Sequence, residues 1–159
     1  MNEPRWLDEE ERASWIAMVG VVFGLPAALD AQLQRDAGLT HFEYTVMAAL
    51  SEAEGRSLRM SYLAGLANGS LSRLSHVVKR LERQGWVLRS PDPDDGRYTV
   101  ATLTDEGFKK VVATAPGHVE AVRQMVLDPL TKGQVRQMGE IGSRITRALA
   151  ARGDFPTPP

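Results

Sequence analysis

The sequence predicts a mainly α-helical fold interrupted by one β-hairpin, and three observations carry that prediction. Apolar residues recur at spacings of three and four along most of the chain. Three Ser/Thr/Asp-x-x-Glu/Gln capping boxes mark helix starts. A single stretch holds two extended runs separated by turn-forming residues. The 159 residues, 43% hydrophobic and 25% charged, suit about one domain, or one compact unit with helical arms.

The first helix opens at Asp8, which can cap free N–H groups with Glu11 three positions on, while Glu9 and Glu10 favour the positive end of the helix dipole. Its apolar positions Trp15, Val19, Val22, Pro26, Leu29 and Leu33 form a heptad-like seam that calls for a partner helix. Gly20, Gly24 and Pro26 should bend it near the middle, and Gly38 should end it. Thr40 and Glu43 start the second helix, with Phe42, Val46, Met47 and Leu50 inward, running to about Glu54 before Gly55.

After an extended Ser57-Leu58-Arg59, a short helix from Met60 to Ala67 ends at an Asn68-Gly69 turn. Ser70 caps the next helix, whose Leu71, Leu74, Val77, Val78 and Leu81 make a packing stripe. Gly85 stops it. Trp86 to Ser90 and Tyr98 to Leu103 are the hairpin strands, joined through Pro91-Asp92-Pro93-Asp94-Asp95-Gly96-Arg97. A fifth helix starts at Thr104-Asp105-Glu106 and carries Phe108, Val112, Ala115, Val119, Val122 and Val126, interrupted at Pro116-Gly117. Thr131 and Gln134 cap a sixth helix with a narrow seam of Val135, Met138, Ile141 or Gly142, Ile145 and Leu149. Helix, turn, helix, hairpin is the order of a winged helix-turn-helix.

Composition narrows the function. The chain has no 20-residue apolar run, so no membrane partner is expected, and Met1 to Trp6 lacks the basic region and apolar stretch of a secretory signal. A cytoplasmic protein is the expectation. With no Cys, disulfides, thiolate nucleophiles and thiol-ligated metal are excluded. His41, His76 and His118 are far apart in sequence and form no ligand cluster, so no metal is expected. No nucleophile elbow, phosphate-binding Gly loop, zinc-protease motif or paired-carboxylate constellation is visible, so neither enzyme activity nor a cofactor is predicted.

The net charge of −1 hides a strong asymmetry. Residues 1–55 hold three Arg against ten Asp and Glu, whereas residues 56–90 hold seven Lys and Arg against Glu82 alone. A basic central third is the electrostatic footprint of a nucleic-acid binder.

The run Leu63-Ala64, then Ser70 through Trp86-Val87, then Asp92-Pro93-Asp94-Asp95-Gly96-Arg97 and Leu103-Thr104-Asp105-Glu106-Gly107 resembles the MarR family of bacterial transcriptional regulators over about residues 8 to 150. That resemblance implies a homodimer on a pseudo-palindromic double-stranded DNA site, with two winged domains in adjacent major grooves. Residues 1–36 and 104–153 would form the helical dimerisation region, residues 37–103 the DNA-binding domain, and residues 154–159 a disordered tail. It also implies a small aromatic or anionic effector that shifts the dimer off DNA. Repression by blocking polymerase is the expected sign.

The residue chemistry agrees with that reading. A recognition helix needs short hydrogen-bonding side chains at its start so that it can enter the major groove closely, as Ser70, Ser72, Arg73, Ser75 and His76 would. Arg73 is assigned to base edges, most simply guanine O6 and N7; Lys79, Arg80 and Arg83 are assigned to phosphates. Arg97, paired with Asp95 or Asp92, is placed in the minor groove. The family's wing tip often carries a second cation where this chain has Asp94, so Asp92, Asp94 and Asp95 would repel phosphates unless Arg89 and Arg97 neutralise them. For the effector, Trp15, His41, Arg59 and Met60 are the candidate lining, with Trp6, Phe42, Met47 and Tyr62 beside them and Arg59 as the cation. The alternative function is a winged-helix module that meets an acidic protein surface without specific DNA binding.

Overall fold

The computed structural model describes residues 3–67 and 69–152. Asn68 of the expected turn and the tail 154–159 lie outside them. Helix α1 (Glu9–Ala37) begins in the capping box: Asp8 Oδ1 accepts the Glu11 N–H at 2.8 Å, and Glu11 Oε2 accepts the Asp8 N–H at 3.0 Å. It ends at Gly38, whose φ of 67° is left-handed backbone that glycine adopts without strain. The bend expected at Gly20, Gly24 and Pro26 leaves no break in the helix.

α2 (His41–Glu52) has the Thr40/Glu43 capping box and buries Phe42, Val46, Met47 and Leu50, stopping two residues short of the expected end. A short β1 (Ser57–Arg59) and α3 (Met60–Leu66) lead into α4 (Leu71–Arg83), capped by Ser70. β2 (Val87–Pro91) and β3 (Thr99–Leu103) form the hairpin, and β1 joins it on the far side, in the order β1-β3-β2, all antiparallel. Leu58 and Arg89 both pair with Ala101, which pins the register of wing and helix-turn-helix together. The core of Leu33, Leu39, Val46, Met47, Leu50, Leu63, Leu74, Val78, Leu81 and Val87 lies beneath this sheet and among α1, α2, α3 and α4.

α5 (Asp105–Val122) docks on the base of the hairpin. A Cβ at Gly107 would fall 2.2 Å from the Trp86 carbonyl oxygen, so the approach admits only glycine. The expected interruption at Pro116 does not occur; α5 continues to Val122 and passes into a π-turn at Arg123–Leu127. α6 (Lys132–Ala151) then starts in the Thr131/Gln134 capping box.

The structure corrects two facing assignments, in α5 and at Leu71, and leaves the seams of α6 and α1 open within the single chain. α5 turns Gly107, Val111, Thr114 and Ala121 inward, whereas Val112 and Val119 of the expected seam are exposed. The helix carries two apolar stripes, and only one is used within the chain. Leu71 is exposed, because it sits before the first turn of α4 that meets the core. α6 buries no residue, and Met138, Ile141, Ile145 and Leu149 are all open. α1 is likewise exposed at Trp15, Val22 and Phe23 and buried at Leu29 and Leu33. α1 is also long and apolar enough, by length and composition alone, to cross a membrane, because residues 13–29 contain no charge.

Candidate nucleic-acid interface

Ser70 accepts the backbone N–H of Arg73 at 3.1 Å, so its hydroxyl oxygen is engaged as the helix cap. Leu74, Val78 and Leu81 hold the inner side of α4 in the core. Ser72, Arg73, His76, Lys79, Arg80 and Arg83 therefore face solvent, and Ser75 is half-buried. The predicted polar face is a single continuous surface.

Its cations are not equivalent. The Arg73 guanidinium lies 4.3 Å over the Phe42 ring and pairs with no carboxylate among the described residues. The Phe42 ring is itself held close: a Cβ at Gly69 would fall 2.7 Å from it. Arg80 is already bound, with Nε 3.0 Å from Oε1 of the buried Glu43. Arg89, one of the two cations that could neutralise the wing acids, pairs with Glu82 at 2.7 Å and holds that carboxyl below its usual range.

The wing tip is built by its own acids. Asp92 accepts the Asp94 N–H at 2.9 Å and pairs with Arg59, whose guanidinium also lies 4.6 Å over the Tyr98 ring. The Asp94 N–H and then Arg59 keep the Asp92 carboxyl well below the usual carboxylate range. Arg97 is 83% exposed in its side chain and is bidentate to Asp95, with its closest contact at 2.6 Å. Arg97 thus sits at the tip as expected, with Asp95 as its partner. Beneath it, Ser61, Ser75, Arg89 and Thr99 line a notch of about 250 Å³ between α4 and the wing.

The expected effector residues are not brought together. Trp15 is exposed on the N-terminal half of α1; Arg59 belongs to the wing; Met60 is buried in the core at the start of α3. Of these candidates His41 and Phe42 line a large crevice, of about 810 Å³, where Pro26 and Asp30 of α1 face Arg73 and His76 of α4. A second crevice of about 510 Å³ is lined by Tyr44, Glu52, Tyr62 and His118.

Histidines that are distant in sequence do meet. The His41 and His118 rings are 6.3 Å apart, and His118 lies 4.6 Å from Tyr44 with Nδ1 3.4 Å from Gln32 Oε1. No metal-ligating cluster forms among the described residues. Burial pushes both imidazoles below the ordinary 6.5; Asp30 partly offsets this for His41, and His41 lowers His118 further. Unfolded histidines then take up protons before folded ones do, so stability is present above about pH 6.5 and is lost as pH falls below it. Cooling of the melting temperature between about pH 7.5 and about pH 5.5 is the expected result, with a flatter profile in His118→Gln. An unchanged slope in that variant would remove His118 from the account.

Sequence reasoning missed the buried Glu43, the Phe42 seat of Arg73 and the Arg59–Asp92 clasp. Glu43 carried a signal, but one fully explained by its capping role.

The MarR family model matches residues 39–99. A Streptomyces coelicolor MarR family transcriptional regulator, Sco3205, solved in complex with DNA, is 47% identical, with a TM-score of 0.86 over 94% of this chain and 93% of its own. The chain belongs to the MarR family of transcriptional regulators. A second member of the family from the same organism, AbsC, is 34% identical with a TM-score of 0.84, covering 93% of this chain and 99% of that one. Among curated relatives, the uncharacterized HTH-type transcriptional regulator YdcH of Bacillus subtilis is 31% identical over 80 residues, 49% of this chain. That match spans only 54% of the relative's own length. The MarR fold accounts for the mainly helical chain with its small antiparallel sheet.

Proposed function

We propose that this MarR family chain is a cytoplasmic homodimeric repressor that binds a pseudo-palindromic DNA site and leaves it when a small molecule binds. The observation that carries the reading is α4: its inner face is locked in the core while Ser72, Arg73, His76, Lys79 and Arg83 stand open beside the wing. Arg73 reads base edges, Ser72 and His76 add hydrogen bonds, and Lys79 and Arg83 take phosphates. Arg97 enters the minor groove by sharing its guanidinium between Asp95 and the groove floor. The open seams of α1, α5 and α6 supply the dimer contact that sets the recognition helices about 34 Å apart.

The crevice between α1, α2 and α4 suits a small aromatic anion. Its ring would take the Phe42 face and its acid group would take Arg73, removing that side chain from the bases. Selection of duplexes from a random pool, followed by anisotropy titration of the winner and a scrambled control at two salt concentrations, tests the function. An enriched inverted repeat bound as a dimer is expected. Equal, weak binding to both duplexes would instead favour the protein-interaction module.

A further inference from the structure

Among the described residues, Arg80 is the cation of α4 that pairs with a buried carboxylate. Glu43 is 2% exposed and uses both carboxylate oxygens: Oε2 accepts the Thr40 N–H at 2.8 Å, and Oε1 lies 3.0 Å from Arg80 Nε. A buried carboxylate is tolerated only when paired, so this contact is a fixed feature of the fold. Arg80 itself remains 54% exposed in its side chain. The closest approach of the ion pair is through Nε, and more than half of the side chain stays open to solvent.

We infer that Glu43 is a positioning residue for DNA binding: by gripping Nε of Arg80 it aims the terminal amino groups of that guanidinium at a backbone phosphate. This deepens the reading of α4 as a recognition helix and rests on it. Arg73, His76 and Arg80 lie at i, i+3 and i+7, on one stripe of α4, so Arg80 stands two turns beyond the base-reading Arg73, where the helix leaves the groove. A guanidinium has five N–H donors in a rigid fork, enough to serve a carboxylate on one edge and a phosphate on another. Ordering the side chain before DNA arrives lowers the entropy lost on binding. The same carboxylate holds Thr40, two residues after the Gly38 bend between α1 and α2, so the grip is anchored at the junction of arm and winged domain.

The test turns on sign. Removing an anion near DNA by itself strengthens binding to a polyanion. Positioning predicts the reverse for Glu43→Gln: about a tenfold loss of affinity for the selected duplex, and no further loss when it is added to Arg80→Gln. Arg80→Gln should reduce the slope of log affinity against log salt by about 0.9, the value of one phosphate contact. Arg80→Lys, an exposed substitution, tests the same point if Glu43→Gln folds poorly. A single ammonium keeps the charge but lacks the fork, so it should also lose about tenfold. The inference is overturned if Glu43→Gln binds as tightly as the unaltered protein or more so, if its loss is equal in both Arg80 backgrounds, if the salt slope of Arg80→Gln is unchanged, or if Arg80→Lys binds normally. Failure of the DNA reading itself looks different, because the unaltered protein would then show no preferred duplex.

Discussion

Arg73→Ala sharply lowers discrimination between the selected duplex and a scrambled one while leaving the protein folded and dimeric. The side chain projects from the exposed face of α4, and its only described contact beyond the helix is the Phe42 ring at 4.3 Å. Leu74, Val78 and Leu81 still seat the helix, the Ser70 cap acts through the backbone N–H at position 73, and alanine is a better helix former than arginine. A bidentate arginine–guanine pair is worth about 1–3 kcal/mol of discrimination, so affinity for the preferred site should fall roughly ten- to a hundredfold. Affinity for scrambled DNA should change far less. Lys79→Ala provides the contrast, since losing a phosphate contact weakens all duplexes alike and lowers the salt slope by about 0.9. Parallel anisotropy titrations decide between them. If Arg73→Ala weakened both duplexes equally, Arg73 would be a phosphate contact and the sequence would be read elsewhere.

The parts of the interface legible in the sequence were those set by local chemistry. Asp8 with Glu11, Thr40 with Glu43 and Thr131 with Gln134 are reciprocal caps three residues apart, and all three form as predicted. The wing follows from its turn residues, and Ser70 starts α4 as expected. What the sequence could not settle was pairing over distance. Arg59 meets Asp92 across 33 residues, and Arg80 meets Glu43 across the domain, so charges that looked equivalent are divided into bound and open. Arg59 consequently leaves the effector crevice for the wing. Facing was ambiguous wherever a helix has two apolar stripes: in α5 both the 111–114–121 and the 112–119 sets have helical spacing, and packing against α1 and α2 selects the first. Pro26 read as a bend and Pro116 as an interruption; α1 and α5 pack along each other and both helices run through these prolines.

The unused stripes bear on the second large effect. Ile145→Glu on α6 should give a monomer with the fold of the single chain intact. Ile145 is 47% exposed and α6 buries no residue within the chain, so the substitution disturbs no intrachain core. In a two-fold dimer each such change is present twice, and a carboxylate forced into an apolar seam without a partner is strongly unfavourable. Val22, Val112, Val119, Ile141 and Leu149 are exposed in the same way, and exposed apolar residues that form a patch mark an association site. The monomer can engage one half-site only. Loss of the linked second contact should weaken operator binding by roughly a hundredfold or more, although Arg73 and the wing are untouched. Ser143→Glu is the matched control, because position 143 lies on the opposite side of α6 beside Arg136, Arg144 and Arg147. Sedimentation should find the Ser143 variant dimeric and the Ile145 variant monomeric. If Ile145→Glu stayed dimeric, the seam of α6 would not be the interface, and the exposed face of α1 would have to pair by itself.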